Sequence, residues 1–236
     1  MITLHTMAGT KDLESLSPFC MKVEVYLKLQ QLPYKTEAGD PRKAPKGKMP
    51  VIVSGGDRIA DSSAIFDYLE QKSDTPLDRG LDAAGRARAH VLKRTFEESL
   101  YWAMLWSRWG DDDGWTELRP HIEAAVPGVL RWLLPGIIRK KVVASSHAQG
   151  IGRHTREEIY ALGKADIEAI AGLLGDRPYL IDDQLRTIDV IGYAFFKNIL
   201  FWPKPSPLTE HARTFPALAA YVERIDSRLK AAASPS

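Results

Sequence analysis

The spacing of apolar side chains changes character near residue 75. Before that point short β-like runs alternate with helical patterns, which predicts an α/β unit. "ITLHTM" reads as a strand. Ser17 and Pro18 then have the chemistry of an N-cap and first helical position, and Phe19, Val23, Tyr26 or Leu27, and Gln30 follow at helical spacing. "YKTEA" predicts a second strand. A basic, proline-bearing loop, "DPRKAPKGKMP", leads into "VIV", and "SGGD" separates it from "RIA" as a hairpin turn would. "DSSAIFDYLEQK" closes the unit as a helix, giving the order β, α, β, β, β, α.

Beyond "SDTPLDRGLD", a polar linker, the period is helical almost throughout. Ala84, Ala87, Val91, Phe96, Leu100 and Ala103 mark one long helix. Thr155 and Glu158 form a capping box ahead of another, which Gly175 is placed to stop. "IDVIGYAFFKNILF" is apolar nearly all round and predicts the buried central helix of a second domain, with Asp189 at its N-terminus. "FPALAAYVERIDSRL" supplies a last amphipathic helix. The tail "AAASPS" is of low complexity and is expected to be mobile. "GDDDG" reads as a solvated turn, and the cluster His147, Arg153, His154 as capping or surface residues.

Composition narrows the function classes. With 236 residues and 44% hydrophobic content the chain can bury a substantial core. Its one cysteine forms no internal disulfide, and "MITLHTM" lacks the pattern of a secretory leader, so a cytoplasmic location is expected. The net charge is +2, with ten cations against ten anions up to residue 75 and twenty-two against twenty after it. Neither half carries the footprint of a nucleic-acid binder. No spacing of Cys, His or carboxylates predicts a metal site.

"SPFCMKVEVYLK", "PKGKMPVI", "IADSSAIFDYL" and "GIGRHTREEIYALGKADIEAIAGLLGDRPYLIDD" together resemble the cytosolic glutathione transferase superfamily, closest to its failed-axon-connections and metaxin-like branch. The resemblance implies a thioredoxin-like glutathione-binding domain over 1–75 and an all-helical domain over 83–236. It implies glutathione as co-substrate, a small hydrophobic electrophile as second substrate, and a homodimer.

The same resemblance gives the site. Ser17 stands where the family has its activating serine or cysteine, and Cys20 lies one turn further on. Ser17 has a plain reading as an N-cap and a sharper one as donor to a thiolate. Cys20 reads as buried and structural, with a thiol-reductase role as its rival. Phe19 follows Ser17 in the motif. Pro50 is expected after a cis bond that turns the backbone of Met49 toward the ligand, with Lys48 and Lys46 near the glycyl carboxylate. Asp61 would meet the α-ammonium of the γ-glutamyl group. Ser62, with Ser63 as a weaker candidate, would meet its carboxylate at a helix N-terminus. Arg186 stands where the family has a serine or threonine three residues before Asp189.

Trp102, Trp106 and Trp109 fall at i, i+4 and i+7, a stripe that suits core, subunit interface or an acceptor pocket. A non-catalytic adaptor is the rival from another class. "RWLLPGIIRKK" sets apolar residues beside three cations and offers a membrane contact, which the proline-broken stripe does not favour.

Overall fold

The computed structural model describes residues 1–126 and 128–233. The predicted order is present: β1 (Ile2–Thr6), α1 (Pro18–Leu29), β2 (Tyr34–Ala38), β3 (Val51–Ser54), β4 (Asp57–Ala60) and α2 (Ser62–Lys72). The sheet runs β2-β1-β3-β4, with β1 parallel to β2 and the remaining pairs antiparallel. Ile2 and Leu4 of β1 are buried, as alternation requires, with Val51 and Ile52 beside them. Ser54 pairs with Asp57 across a two-residue turn, and Gly55 and Gly56 both take positive φ, the conformation a primed hairpin turn demands. The thioredoxin-like expectation is met.

The helices follow as α3 (Ala83–Arg94), a π-helical segment (Thr95–Leu100), α4 (Tyr101–Trp109), α5 (Asp112–Ala125), α6 (Leu134–Gln149), α7 (Arg156–Leu174), α8 (Thr187–Leu200), α9 (Pro207–Arg213) and α10 (Pro216–Ala233). Capping is as read for α7: Thr155 N–H donates to Glu158 Oε2 at 2.8 Å and Glu158 N–H donates to Thr155 Oγ1 at 3.3 Å, while Gly175, at φ 53°, follows its end. The long helix departs from its expected face. Ala84, Ala87 and Val91 are exposed, whereas Gly85, Leu92, Phe96, Leu100 and Ala103 are buried. The buried residues are spaced by 7, 4, 4 and 3 and so keep one helical stripe, whereas the expected set jumps five residues from Val91 to Phe96 and leaves that stripe before the π segment begins. Ala231–Ala233 complete α10, where a mobile tail was expected; Ser234–Ser236 lie outside the described residues.

The chain divides into two compact units that are not contiguous in sequence. One comprises Met1–Lys93, Leu174–Phe201 and the segment from Pro216; the other comprises Arg94–Leu173 and Trp202–Phe215. The apolar helix α8 therefore packs within the sheet-bearing unit, against α1 and α10. Covered on several sides, α1 buries every residue from Cys20 to Leu27. Lys22 fits among them because its ammonium lies 5.2 Å from the Phe19 ring centre and 5.3 Å from that of Phe66.

A buried carboxylate starts α8. Asp189 accepts from the N–H groups of Leu180 and Arg186, each at 2.8 Å, and from the Tyr221 hydroxyl at 3.2 Å. Arg186, which cannot accept a bond as serine would, sends its guanidinium to Asp182 and to the carbonyls of Leu77 and Arg79. Asp78 supplies the missing cap, accepting from Thr187 N–H at 3.0 Å. Truncation in Asp189→Ala leaves the buried N–H groups of Leu180 and Arg186 unpaired, while the Tyr221 hydroxyl keeps its 2.8 Å bond to the Asp189 carbonyl, and should destabilise the protein by about 2–5 kcal/mol, read from denaturant unfolding. Burial also holds this carboxyl up at about 6. The fold thus binds a proton that the unfolded chain releases near pH ~4. Stability from Asp189 is full below that value and is lost as pH rises through 6, a slope that Asp189→Asn should abolish.

Candidate functional site

The strand register gathers the candidates at one end of the sheet. His5 pairs with Val51, and Val51 with Ala60, so the end of β1, the start of β3 and the end of β4 form one row. Neighbouring strands lie about 4.8 Å apart, so the segments leaving this row are held close together. Those segments carry Met49 and Pro50, Asp61 to Ser63, and the loop that runs from Met7 to Ser17.

Two serines hold that loop. Ser15, fully buried, donates its hydroxyl to the Met7 carbonyl at 2.9 Å and accepts from Ser17 N–H at 3.2 Å. Leu16 N–H adds a bond to the Ala8 carbonyl at 3.1 Å, and Asn198 of α8 donates to the Ser15 carbonyl at 3.3 Å. The head of α1 is therefore tied to the end of β1 and backed by α8. Ser15 is a positioning residue that sequence reading missed; "SLSP" signals a cap at Ser17 but says nothing of a buried hydroxyl two residues earlier.

Ser17 is the N-cap of α1, half-buried and extended at φ −99°, ψ 119°, and its Oγ accepts from Cys20 N–H at a long 3.4 Å. That bond uses a lone pair and leaves the hydroxyl proton for another acceptor. Cys20 is different in kind. It is fully buried, and burial pushes its thiol up against smaller opposing effects from the Met7 backbone and from Ser17, Thr6 and Ser15. Phe19 is half-buried and sets its ring edge-on to Phe195 at 5.9 Å, so part of its surface is spent on helix packing.

Across the row, the Met49–Pro50 bond is cis. The Met49 side chain lies over Gly39, where a Cβ would stand 2.2 Å from its terminal methyl. Lys46 and Lys48 are exposed. Asp61 is the N-cap of α2 and one of two non-glycine residues among those described with positive φ, at 87°. Such a conformation costs about 1–3 kcal/mol and is held here between β4 and α2. Its Oδ1 accepts from Ser63 N–H at 2.9 Å, and Ser62 is buried beside it. The heads of α1 and α2 are thus both at this end of the sheet, each with the positive pole of a helix and first-turn N–H groups that no helical carbonyl can reach.

The remaining candidates stand in the other compact unit. The tryptophans are half-buried and each meets an aromatic neighbour: Trp102 with Tyr101, Trp106 with Tyr160, and Trp109 with Trp115. "GDDDG" is a helix start rather than a solvated turn. Asp111, 6% exposed, caps α5 through Asp113 N–H and also accepts from Tyr160 at 2.7 Å and Arg156 at 2.9 Å. Arg153 donates to the His147 carbonyl at the end of α6. Among the described residues no cluster of His, Cys, Asp or Glu could hold a metal ion.

A model of the glutathione S-transferase N-terminal domain matches residues 18–114, and one of the glutathione S-transferase C-terminal domain matches 163–225. An isoprene-epoxide glutathione S-transferase from a Rhodococcus species is 33% identical over 95% of this chain and 98% of its own length. Failed axon connections of Drosophila melanogaster is 28% identical over 97% of this chain and 58% of its own. Among solved structures, a beta-etherase from a Sphingobium species superposes with a TM-score of 0.65 at 18% identity, covering 98% of both chains.

Cys20 should resist alkylation by iodoacetamide at pH ~8 in the folded protein and react at the rate of an ordinary thiol once denaturant is added. Fast labelling of the folded chain would contradict its burial.

Proposed function

The chain belongs to the glutathione S-transferase family, and on that premise we propose that it binds glutathione and activates the thiol for attack on a small hydrophobic electrophile. One observation supports this most: the row His5, Val51, Ala60 draws Ser17, Met49, Pro50, Asp61 and Ser62 to a single end of the sheet. In this reading the glutathione-binding domain is 1–75 and the helical domain is 83–236.

Glutathione carries opposite charges on its γ-glutamyl end. The carboxylate takes donors at the head of α2, from Ser62 and its neighbour Ser63, which converts helix-end N–H groups into ligand contacts. Asp61 takes the α-ammonium. The backbone of Met49 pairs with the cysteinyl unit as an added strand would, and Lys48 screens the glycyl carboxylate.

The chemistry then depends on the sulfur. A free thiol of pKa ~8.5 is a few per cent thiolate at neutral pH, and lowering that value by two units takes about 2.7 kcal/mol. The Ser17 hydroxyl donates to the sulfur, and the pole of α1 favours the anion; together they cover that amount. The thiolate attacks an electrophilic carbon, forming a C–S bond as the bond to the leaving atom breaks. With an epoxide, the substrate type named for the Rhodococcus relative, the opened oxygen takes a proton from water. Cys20 has no covalent role in this sequence of events, its burial and raised pKa arguing against the thiol-reductase reading. A homodimer and a cytoplasmic location complete the proposal.

The rival, a non-catalytic adaptor, draws on the resemblance to the failed-axon-connections branch. Conjugation assays with a small epoxide and with an aryl halide separate the two. Ser17→Ala should lower the rate at neutral pH about 10- to 100-fold and move the rising limb of the pH profile upward, while Cys20→Ser retains activity. Retention on immobilised glutathione without turnover of any electrophile would favour the adaptor.

A further inference from the structure

Between Glu123 and Glu157 the sequence has no acidic residue, yet it holds six cations, in a chain whose net charge is only +2. The same stretch exposes five large apolar side chains within nine residues. Val129 is 84% exposed, Trp132 67%, Leu133 63%, Ile137 51% and Leu130 50%. They sit on the short helical turn before α6 and on the first turn of α6, where Pro135 opens the helix and does not break the apolar stripe as the sequence suggested. Arg131 lies over the Trp132 ring at 5.0 Å, and Lys140 and Lys141, both exposed, follow along α6. A groove of about 680 Å³ continues the face, lined by Trp115, Gly136, Arg139, Lys140, Val143 and His147 among others.

We propose that this face docks on the surface of an anionic lipid bilayer, its apolar turn entering the boundary between headgroups and acyl chains and its lysines meeting lipid phosphates. Charge decides against a second copy of the chain, because two such faces would set the exposed Arg131, Lys140 and Lys141 of one copy against the same three cations of the other. A polyanion alone would leave the apolar side chains in water. A bilayer satisfies both, since it offers anionic charge at its surface and an apolar layer just beneath it, without needing a shaped partner. Among the described residues no helix is long and apolar enough to cross a membrane, so the contact is peripheral. Arg139 is committed elsewhere, to the carbonyls of Trp109 and Gly110 and to Asp112, as are Arg153 to the His147 carbonyl and Arg156 to Asp111, which leaves Arg131, Lys140 and Lys141 as the cations that set affinity. The proposal is independent of the glutathione reading.

Co-sedimentation of the full chain with vesicles tests it. The protein should pellet with vesicles of phosphatidylcholine and phosphatidylserine, remain in solution with phosphatidylcholine alone, and dissociate as salt rises to ~0.5 M. Lys140→Ala with Lys141→Ala should weaken the partition about 25-fold, at roughly fivefold per cation. Trp132→Ser with Leu133→Ser should weaken it by a similar factor, while circular dichroism of both variants stays unchanged because the substituted side chains are exposed. Failure of the unmodified chain to pellet with either vesicle overturns the proposal, and retention on an immobilised acidic polypeptide in that case assigns the face to an acidic protein. A loss confined to the lysine variant, with the apolar variant binding normally, also overturns it.

Discussion

The arrangement at the site rests on one buried hydroxyl. Ser15 bonds the end of β1 through the Met7 carbonyl and the head of α1 through Ser17 N–H, in a place from which water is excluded. In such surroundings an unpaired polar group costs more than its bond is worth in water, so the loop has little freedom to choose another path. The position of the Ser17 hydroxyl relative to the sheet follows from this tether.

Helix α8 carries the tether from behind. Its apolar faces fill the space beside α1, with Phe195 against Phe19, and its one buried amide, Asn198, reaches the Ser15 carbonyl. The helix in turn is capped at its N-terminus by Asp189 and by Asp78, a residue of the linker after α2. Polar bonds thus run from that linker through α8 to the loop that places Ser17. The unit that holds the sheet is for this reason not the first part of the chain alone.

Much of this was legible in the residues. The order of strands and helices up to Lys72, the hairpin at Gly55–Gly56, the caps at Ser17 and Thr155 and the burial of Cys20 follow from local chemistry, which the final packing leaves intact. What was not legible depended on long-range partners. In the long helix small alanines on the exposed side, Ala84 and Ala87, have too little apolar surface to mark a face, and the stripe is set instead by Leu92, which packs inward one residue after the exposed Val91. Helices α5 and α6 hid behind Pro120, Pro135 and the run "GDDDG". Three aspartates suit a helix start, where they face the positive pole, but only Arg156 and Tyr160, some 45 residues on, explain why Asp111 is buried. At the site, sequence supplied the residue types by family resemblance. The strand register supplies their common location, while Ser15 and Asn198 became visible only through their bonds.

The account stands or falls on the state of the ligand's sulfur. Ultraviolet difference titration of glutathione bound to the protein, following thiolate absorbance against pH, reads that state without any electrophile. The account predicts a midpoint about two units below the ~8.5 of a free thiol, returning toward it in Ser17→Ala. A bound thiol that titrates at its free value in the unmodified protein would contradict it.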